Sequence, residues 1–394
     1  MGTAQIFKLS RKTGMGALPR VCVAGVGTAG VQVVDRVGGT ATDGLTVAAL
    51  HTNRSILAAS QVQTRIPLGG DAVAGGCGGV ADLGRKAAEH DIEMVRGLIS
   101  DCQALILVAG LGGGTASGAL PVLLQAAKGA GVFTAVVLTT PFLFEGADRQ
   151  RRAEDALRAI VPIADFTAVV ANDALVAGQE QGAMERAFER ALDTLSAGVC
   201  SLWQILAMPS LLAIDQGDLR AMGSQTGAAC RFVFGMATGE NRAVNAIQSL
   251  LSNRETAGQL GGGSGVLACI CASRDVSLQE VQAALDPLHK VVPDSSVLRA
   301  GVVLHDSWRD RLFLSVFIGD TRRKMVSTSR IAGVAASASK SKGAAGGRPS
   351  QKELDLDGAT SVSGQGRFGR TKATILDGED LDIPTYLRRN IKLD

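Results

Sequence analysis

Ala104-Leu-Ile-Leu-Val-Ala109 followed by Gly110-Leu-Gly-Gly-Gly-Thr-Ala-Ser-Gly118 is the stretch whose reading decides the fold. An unbroken apolar run of six residues predicts a strand buried on both faces, as in a parallel sheet with helices on either side. The segment after it is denser in Gly than a structural turn requires, and a helix is expected from it to Lys128. Glycines let backbone N–H groups close around an anion, and a helix N-terminus adds a favourable partial charge. The Gly-Lys-Ser/Thr ending of a Walker A loop is missing.

Working outward, the same order recurs. Residues 21–24 form an apolar strand that enters Gly25-Val-Gly27-Thr-Ala-Gly30, with a helix from about Val31 to Val37. Leu45–Leu50 reads as a second strand, and Gly75-Gly-Cys-Gly-Gly79, the second glycine loop in chain order, precedes a helix expected over 81–100. Strands are expected at 132–139 and 166–171, with a helix at 148–160 between them. Several anion-cradling turns on one sheet edge suit a triphosphate. A long helix is expected over 182–208, with Met184, Phe188, Leu192, Leu195, Val199, Leu202 and Leu206 at three-four spacing, stopped by Pro209. Beyond it, strands at 230–237, 266–272, 297–304 and 312–318 and helices at 240–252 and 277–289 make a second, smaller α/β domain.

Composition narrows the function classes. The chain has 394 residues, 46% hydrophobic and 20% charged, with a net charge of +3. Residues 321–352 hold eight Lys or Arg and no acid, so the rest of the chain sums to −5 (+3 minus +8). That segment is rich in Ala, Ser and Gly and reads as a disordered basic linker, not as a nucleic-acid module. The seven cysteines contain no Cys-x-x-Cys pair and the four histidines are scattered, so buried thiols are expected and no protein-held metal site is assigned. No run of about 20 apolar residues spans a membrane, and a cytoplasmic protein is expected.

Several ordered segments then carry a resemblance. The 110–118 loop is similar to the glycine signature of the tubulin class, and Pro121 falls where FtsZ proteins keep proline. Pro141-Phe-Leu-Phe-Glu-Gly146 with Arg149, Ala171-Asn-Asp173, and Ala187-Phe188 with Asp193 each resemble FtsZ segments in the same order. Leu211-Leu-Ala-Ile-Asp-Gln-Gly-Asp-Leu-Arg220 resembles the FtsZ synergy loop, and Leu381-Asp-Ile-Pro-Thr-Tyr-Leu-Arg-Arg389 its C-terminal peptide. The chain thus resembles a divergent member of the FtsZ family.

The resemblance implies a Rossmann-like GTP-binding domain over 21–181, after a disordered extension at 1–20. A central helix over 182–208 and a C-terminal domain over 209–320 would follow, then the linker at 321–374 and a disordered partner-binding tail at 375–394. It implies GTP or GDP with Mg²⁺ as cofactors. Gly27, Thr28 and Gly30 would face the phosphates, Gly78 and Gly79 the γ-phosphate, and Gly113, Gly114, Thr115 and Gly118 the α- and β-phosphates. Glu145 and Arg149 would hold ribose and phosphate. Asn172 and Asp193 would read guanine with Phe188 stacked on it. Asp215 and Asp218, expected to share a face of one helical turn, would orient the attacking water of the next subunit's GTP. The implied partners are further copies, head to tail, and tethering proteins of the FtsA or ZipA kind. The tethers would meet Asp382, Ile383, Pro384, Tyr386, Leu387 and Arg388, while the basic linker meets anionic lipid at mid-cell.

Five positions that depart from the family bear on this. Ala213 stands where the family keeps Asn, and Asn53 where it keeps Asp. Thr28 and Ala29 replace glycines of the first loop, and Ala116 one of the signature. Two alternatives stay open: a tubulin-class GTP-binding scaffold with little turnover, and a two-domain oxidoreductase. The second wants an acid after the second strand, where Leu50-His51-Thr52-Asn53 stands.

Overall fold

The computed structural model describes residues 19–38, 45–176, 184–208, 210–226, 229–252, 254–293, 296–305 and 308–319, and beyond them 375–376 and 379–380. Residues 1–18 of the extension, the whole linker at 321–374 and the tail residues 382–388 lie outside them.

The first half alternates strand and helix: β1 Val21–Val26, α1 Gly27–Val37, β2 Leu45–His51, α2 Arg54–Ala59, β3 Thr64–Pro67, α3 Ala81–His90, α4 Ile92–Ile99, β4 Ala104–Gly110, α5 Gly114–Gly129, β5 Phe133–Thr140, α6 Ala147–Ile160, β6 Phe166–Ala171 and α7 Asn172–Val176. Then come α8 Met184–Ala207, β7 Ser210–Leu212, α9 Gln216–Thr226, β8 Cys230–Thr238, α10 Arg242–Leu251, α11 Arg254–Gly262, β9 Gly265–Ala272, α12 Leu278–Val291, β10 Val297–Leu304 and β11 Arg311–Gly319.

One sheet runs through both halves in the order β3-β2-β1-β4-β5-β6-β8-β11-β9-β10-β7. From β3 to β6 every pairing is parallel, in register Val21↔Leu45, Val21↔Ala104 and Ala104↔Phe133. The second half is mixed: β11 runs antiparallel to β8 and β9, β10 parallel to β9, and β7 antiparallel to β10. The smaller domain is therefore joined to the first sheet, through the β6–β8 pairs Ala168↔Cys230 and Val169↔Arg231, as well as to the long helix.

The apolar runs explain this placement. Strands β1, β4 and β5 are buried almost end to end, and their alternate side chains feed two cores. One face packs on α3, α5 and α6; the other packs on α1 and α8. The three-four spacing in α8 understates its burial. From Thr194 to Ala207 every residue is buried, as expected of a helix enclosed on all sides. A third core, from Leu250, Ile270, Leu288 and Leu314 among others, supports the second half. The helix expected over 81–100 is two helices. The break falls at Asp91, whose Oδ2 accepts from Gly69 N–H at 2.5 Å. Six of the cysteines are buried and Cys102 is partly so; none is in a disulfide.

Helices α3 and α5 touch backbone to backbone. A Cβ added at Gly118 would lie 1.9 Å from Ala81 O, and one at Gly84 would lie 2.2 Å from Gly114 O. Gly118 is thus required by helix packing whatever else it does. That contact sets the loop before α3 beside the loop before α5.

Residues 330–394 form a separate unit, in which Ile375–Leu376 pairs antiparallel with Glu379–Asp380.

Candidate functional site

Strands β1 and β4 are neighbours, and the chain winds away from them in opposite directions, to β2 and β3 on one side and to β5 and β6 on the other. In such sheets ligands sit in the crevice beyond the carboxyl ends of the two central strands. The 25–30 and 110–118 segments leave β1 and β4 at that edge. Gly27, at φ 74°, turns β1 straight into α1, and Gly112, at φ 87°, begins the turn into α5. Helices α1, α3 and α5 follow Val26, Val80 and Gly113, and none of these supplies a side-chain cap. By contrast α2 is capped by Asn53, whose Oδ1 accepts from Ser55 and Ile56 N–H. The long helices at this edge keep first-turn N–H groups without a side-chain acceptor, which suits a multiply charged anion.

Side chains lock the glycine loops together. The Thr115 and Thr52 hydroxyls are 2.7 Å apart and buried, with Cys77 Sγ donating to Thr52 Oγ1. Ser117 Oγ accepts from Gly112 N–H at 3.1 Å. Asn53 donates from Nδ2 to Gly75 O at 3.0 Å, a bond no carboxylate could make, so its amide ties the end of β2 to the second glycine loop. Thr28 and Ala29 lie in α1 outside the left-handed region, so their Cβ atoms strain no backbone.

Thr28 is held by His51. Asn53 N–H donates to His51 Nδ1 at 2.8 Å, so the neutral ring carries its proton on Nε2 and donates to Thr28 Oγ1 at 3.1 Å. Burial pushes the His51 pKa below its ordinary 6.5. The unfolded chain therefore takes up the proton first. The His51 contribution is complete above pH ~6.5 and is lost as pH falls from there toward the lower folded pKa. We expect Tm to drop more between pH 7.5 and 5.5 in the wild type than in His51→Asn. An equal drop would assign the titration to another group.

At the other end of the crevice, Asn172 is buried and its Oδ1 has no hydrogen-bond partner among the described residues. Such an atom calls for a donor. Phe188 is 40% exposed and meets Phe142 edge-on at 5.2 Å, so part of its ring remains open. Glu145 accepts from Phe142 N–H (2.8 Å) and pairs with Arg149 (2.8 Å). Asp173 accepts from Leu143 N–H at 3.1 Å, joining this loop to α7. Asp193 is paired with Arg36 at 2.9 Å, and Glu189 takes the same guanidinium at 2.5 Å.

The acid pair is not in this crevice. Asp215 precedes α9, while Asp218 lies within its first turn. They sit three residues apart at the helix start and cap each other. Asp215 Oδ1 accepts from Asp218 N–H at 2.9 Å and Asp218 Oδ2 from Asp215 N–H at 3.1 Å. The other oxygen of Asp218 is paired with Arg299 of β10. Two residues on, Arg220 Nε donates to Asp165 at 3.0 Å, and Asp165 also accepts from Thr134 N–H at 2.8 Å. Thr134 and Asp165 stand at the beginnings of β5 and β6, so α9 lies at the amino edge of the sheet, opposite the glycine loops. An eight-residue strand such as β5 separates the two edges by roughly 25 Å.

Sequence reading missed Arg36, Arg152 and Arg299, each an ordinary charge until its partner is known. Among the described residues no three His, Cys, Asp or Glu side chains cluster to hold a metal. Mg²⁺ would be held chiefly by nucleotide phosphates, where it would supply charge neutralisation.

Comparison with known proteins agrees with this geometry. Residues 20–178 match the model of the Tubulin/FtsZ family, GTPase domain, and 227–322 that of the FtsZ family, C-terminal domain. The chain is 28% identical to a cell division protein FtsZ of Pseudomonas aeruginosa over 378 residues, covering 93% of this chain and 95% of that one. It is 32% identical over 286 residues to one of Magnetospirillum gryphiswaldense, covering 71% of this chain but only 50% of that longer relative. A structure of an FtsZ mutant from M. jannaschii superposes with TM-score 0.69 at 24% identity, covering 77% of this chain and 91% of the other. CetZ2 of Haloferax volcanii superposes with TM-score 0.58 at 22% identity, covering 76% and 93%.

Proposed function

We infer that this chain, which belongs to the tubulin/FtsZ family, is a GTP-dependent polymerising protein of cell division whose hydrolytic site is completed between subunits. The observation that carries the reading is the separation of its two halves. The phosphate cradle lies at the carboxyl edge of β1 and β4, and Asp215 and Asp218 lie at the amino edge of the same sheet. A single chain cannot bring them together. A head-to-tail stack of identical chains can, since a heterologous contact repeats one edge against the other.

In this arrangement the first-turn N–H groups of α1, α3 and α5 receive the phosphates, and Gly78 and Gly79 lie beside the terminal one. Asn172 offers its unsatisfied oxygen to the exocyclic amine of guanine, and Phe188 offers its open ring face. Asp193 accepts from the base once Arg36 yields an oxygen. The next subunit supplies Asp215 and Asp218 to orient water. Phosphoryl transfer depends mainly on such positioning and on charge neutralisation. The test is calorimetric titration with GTP, GDP and NAD. Binding of both guanine nucleotides and not of NAD is expected; binding of NAD alone would overturn the reading.

A second reading, a GTP-binding scaffold with little turnover, is favoured by one observation. Both Asp218 oxygens are occupied, by Arg299 and by Asp215 N–H, and Ala213 offers no amide beside them.

The protein would work in the cytoplasm at the division site. Among the described residues no helix is long and apolar enough to cross a membrane. Anchorage would then come from the tail, through Asp382, Ile383, Pro384, Tyr386, Leu387 and Arg388 in the groove of a tethering protein of the FtsA or ZipA kind. The basic linker would add salt-sensitive attraction to anionic lipid, at about 1 kcal/mol per Lys or Arg near the surface. Deleting residues 380–394 should leave GTP-driven polymerisation intact and abolish recruitment to vesicles bearing such a tether. Lost polymerisation with retained recruitment would refute that role.

A further inference from the structure

Arg152 is one turn beyond Arg149 on α6, and its guanidinium reaches two glycine loops at once. Nε donates to Gly112 O at 3.1 Å, which fixes the fork at the turn into α5. A Cβ built on Gly79 would lie 3.2, 3.3 and 3.4 Å from Nη1, Cζ and Nη2, so the flat face of the guanidinium rests against the bare backbone of Gly79. Gly79 has φ 83°, so a side chain there would be strained as well as crowded. Arg152 is half-buried, and no carboxylate pairs with it among the described residues, although the same helix pairs Arg149, Arg151 and Arg158 with acids. A cation held by one backbone carbonyl, with its terminal N–H groups unmatched, lies between two anion-binding loops. A planar fork of this kind matches the oxygens of a phosphate.

We propose that Arg152 is a specificity-determining ligand of the nucleotide's terminal phosphate, distinguishing the triphosphate from the diphosphate. It rests on the guanine-nucleotide reading above. Its place between the second and third glycine loops also makes it report the terminal phosphate to both: the loop before α3 and the turn into α5 share one guanidinium. A plain clasp of the two loops would behave differently, because both nucleotides need the loops in place.

The test uses the full chain, kept below the concentration at which it assembles, with a slowly hydrolysed GTP analogue and with GDP. Arg152→Ala should weaken the triphosphate about 10- to 100-fold, as for a lost charged hydrogen bond, and GDP by less than about twofold. Arg152→Lys keeps the charge and loses the Nε bond to Gly112 O, so it should recover part of the triphosphate affinity. Equal losses for the two nucleotides, or none for either, would overturn the proposal while leaving the guanine-nucleotide reading intact. Failure of the wild type to bind either nucleotide would overturn both. If Arg152→Ala unfolds, Arg152→Gln and Arg152→Lys decide the matter by the same ratio of affinities.

Discussion

Asp218→Ala should bind GTP as tightly as the wild type yet turn it over roughly 10²- to 10⁴-fold more slowly, the range for loss of a positioned acid or base. Binding is spared because α9 stands at the amino edge of the sheet and the nucleotide loops at the carboxyl edge. The change also removes half of a reciprocal cap, which costs about 1 kcal/mol of helix stability. Asp218→Asn keeps most of the shape and separates the two effects. It should restore the stability and not the turnover. Single-turnover phosphate release, with Tm measured alongside, checks both variants. An Asp218→Ala protein with wild-type turnover would remove the acid from the mechanism.

Gly118→Val should be the most damaging single change to the fold among the glycine loops. Its Cβ would lie 1.9 Å from Ala81 O, and neither backbone can retreat without parting α3 from α5. Overpacking of this kind costs about 3 kcal/mol, a fall in Tm of roughly 5–10 °C. Because α3 carries the Gly78-Gly79 loop on its N-terminus, GTP affinity should fall as well. Gly97 on α4 is the contrast. A Cβ there meets nothing within 4 Å, so Gly97→Ala should be neutral or stabilising by about 0.5–1 kcal/mol. Thermal unfolding of the two variants checks the pair. Similar Tm values would mean that the helix contact is not tight.

The strands that lie deep in the sheet were legible because burial on both faces forces continuous apolar sequence. Phe166–Ala171 and Gly265–Ala272 fall where the composition puts them. Short edge strands carry no such signal. Thr64–Pro67 is half polar and Ser210–Leu212 has three residues, all exposed, so β3 and β7 were not foreseen. Helix α11, RETAGQLGG, has three glycines and weak helical propensity; it is held by its neighbours α10 and α12. The glycine loops were legible because backbone approach to an anion leaves a composition that few structural turns need. The residues tuning them were not. Arg152, Arg36 and Arg299 acquire meaning only from partners 40 to 157 positions away. Asp215 and Asp218 were readable as a pair, but their place on the far edge of the sheet follows from Asp165 and Thr134, which no local pattern connects to them.

The central claim is that hydrolysis belongs to the contact between subunits. The direct measurement is GTP turnover per molecule over a range of protein concentration, with light scattering followed in the same sample. Below the onset of scattering turnover should be close to zero, and above it turnover per molecule should rise steeply and level off as the chains assemble. Constant turnover per molecule from the lowest concentration upward, with no link to scattering, would contradict the account.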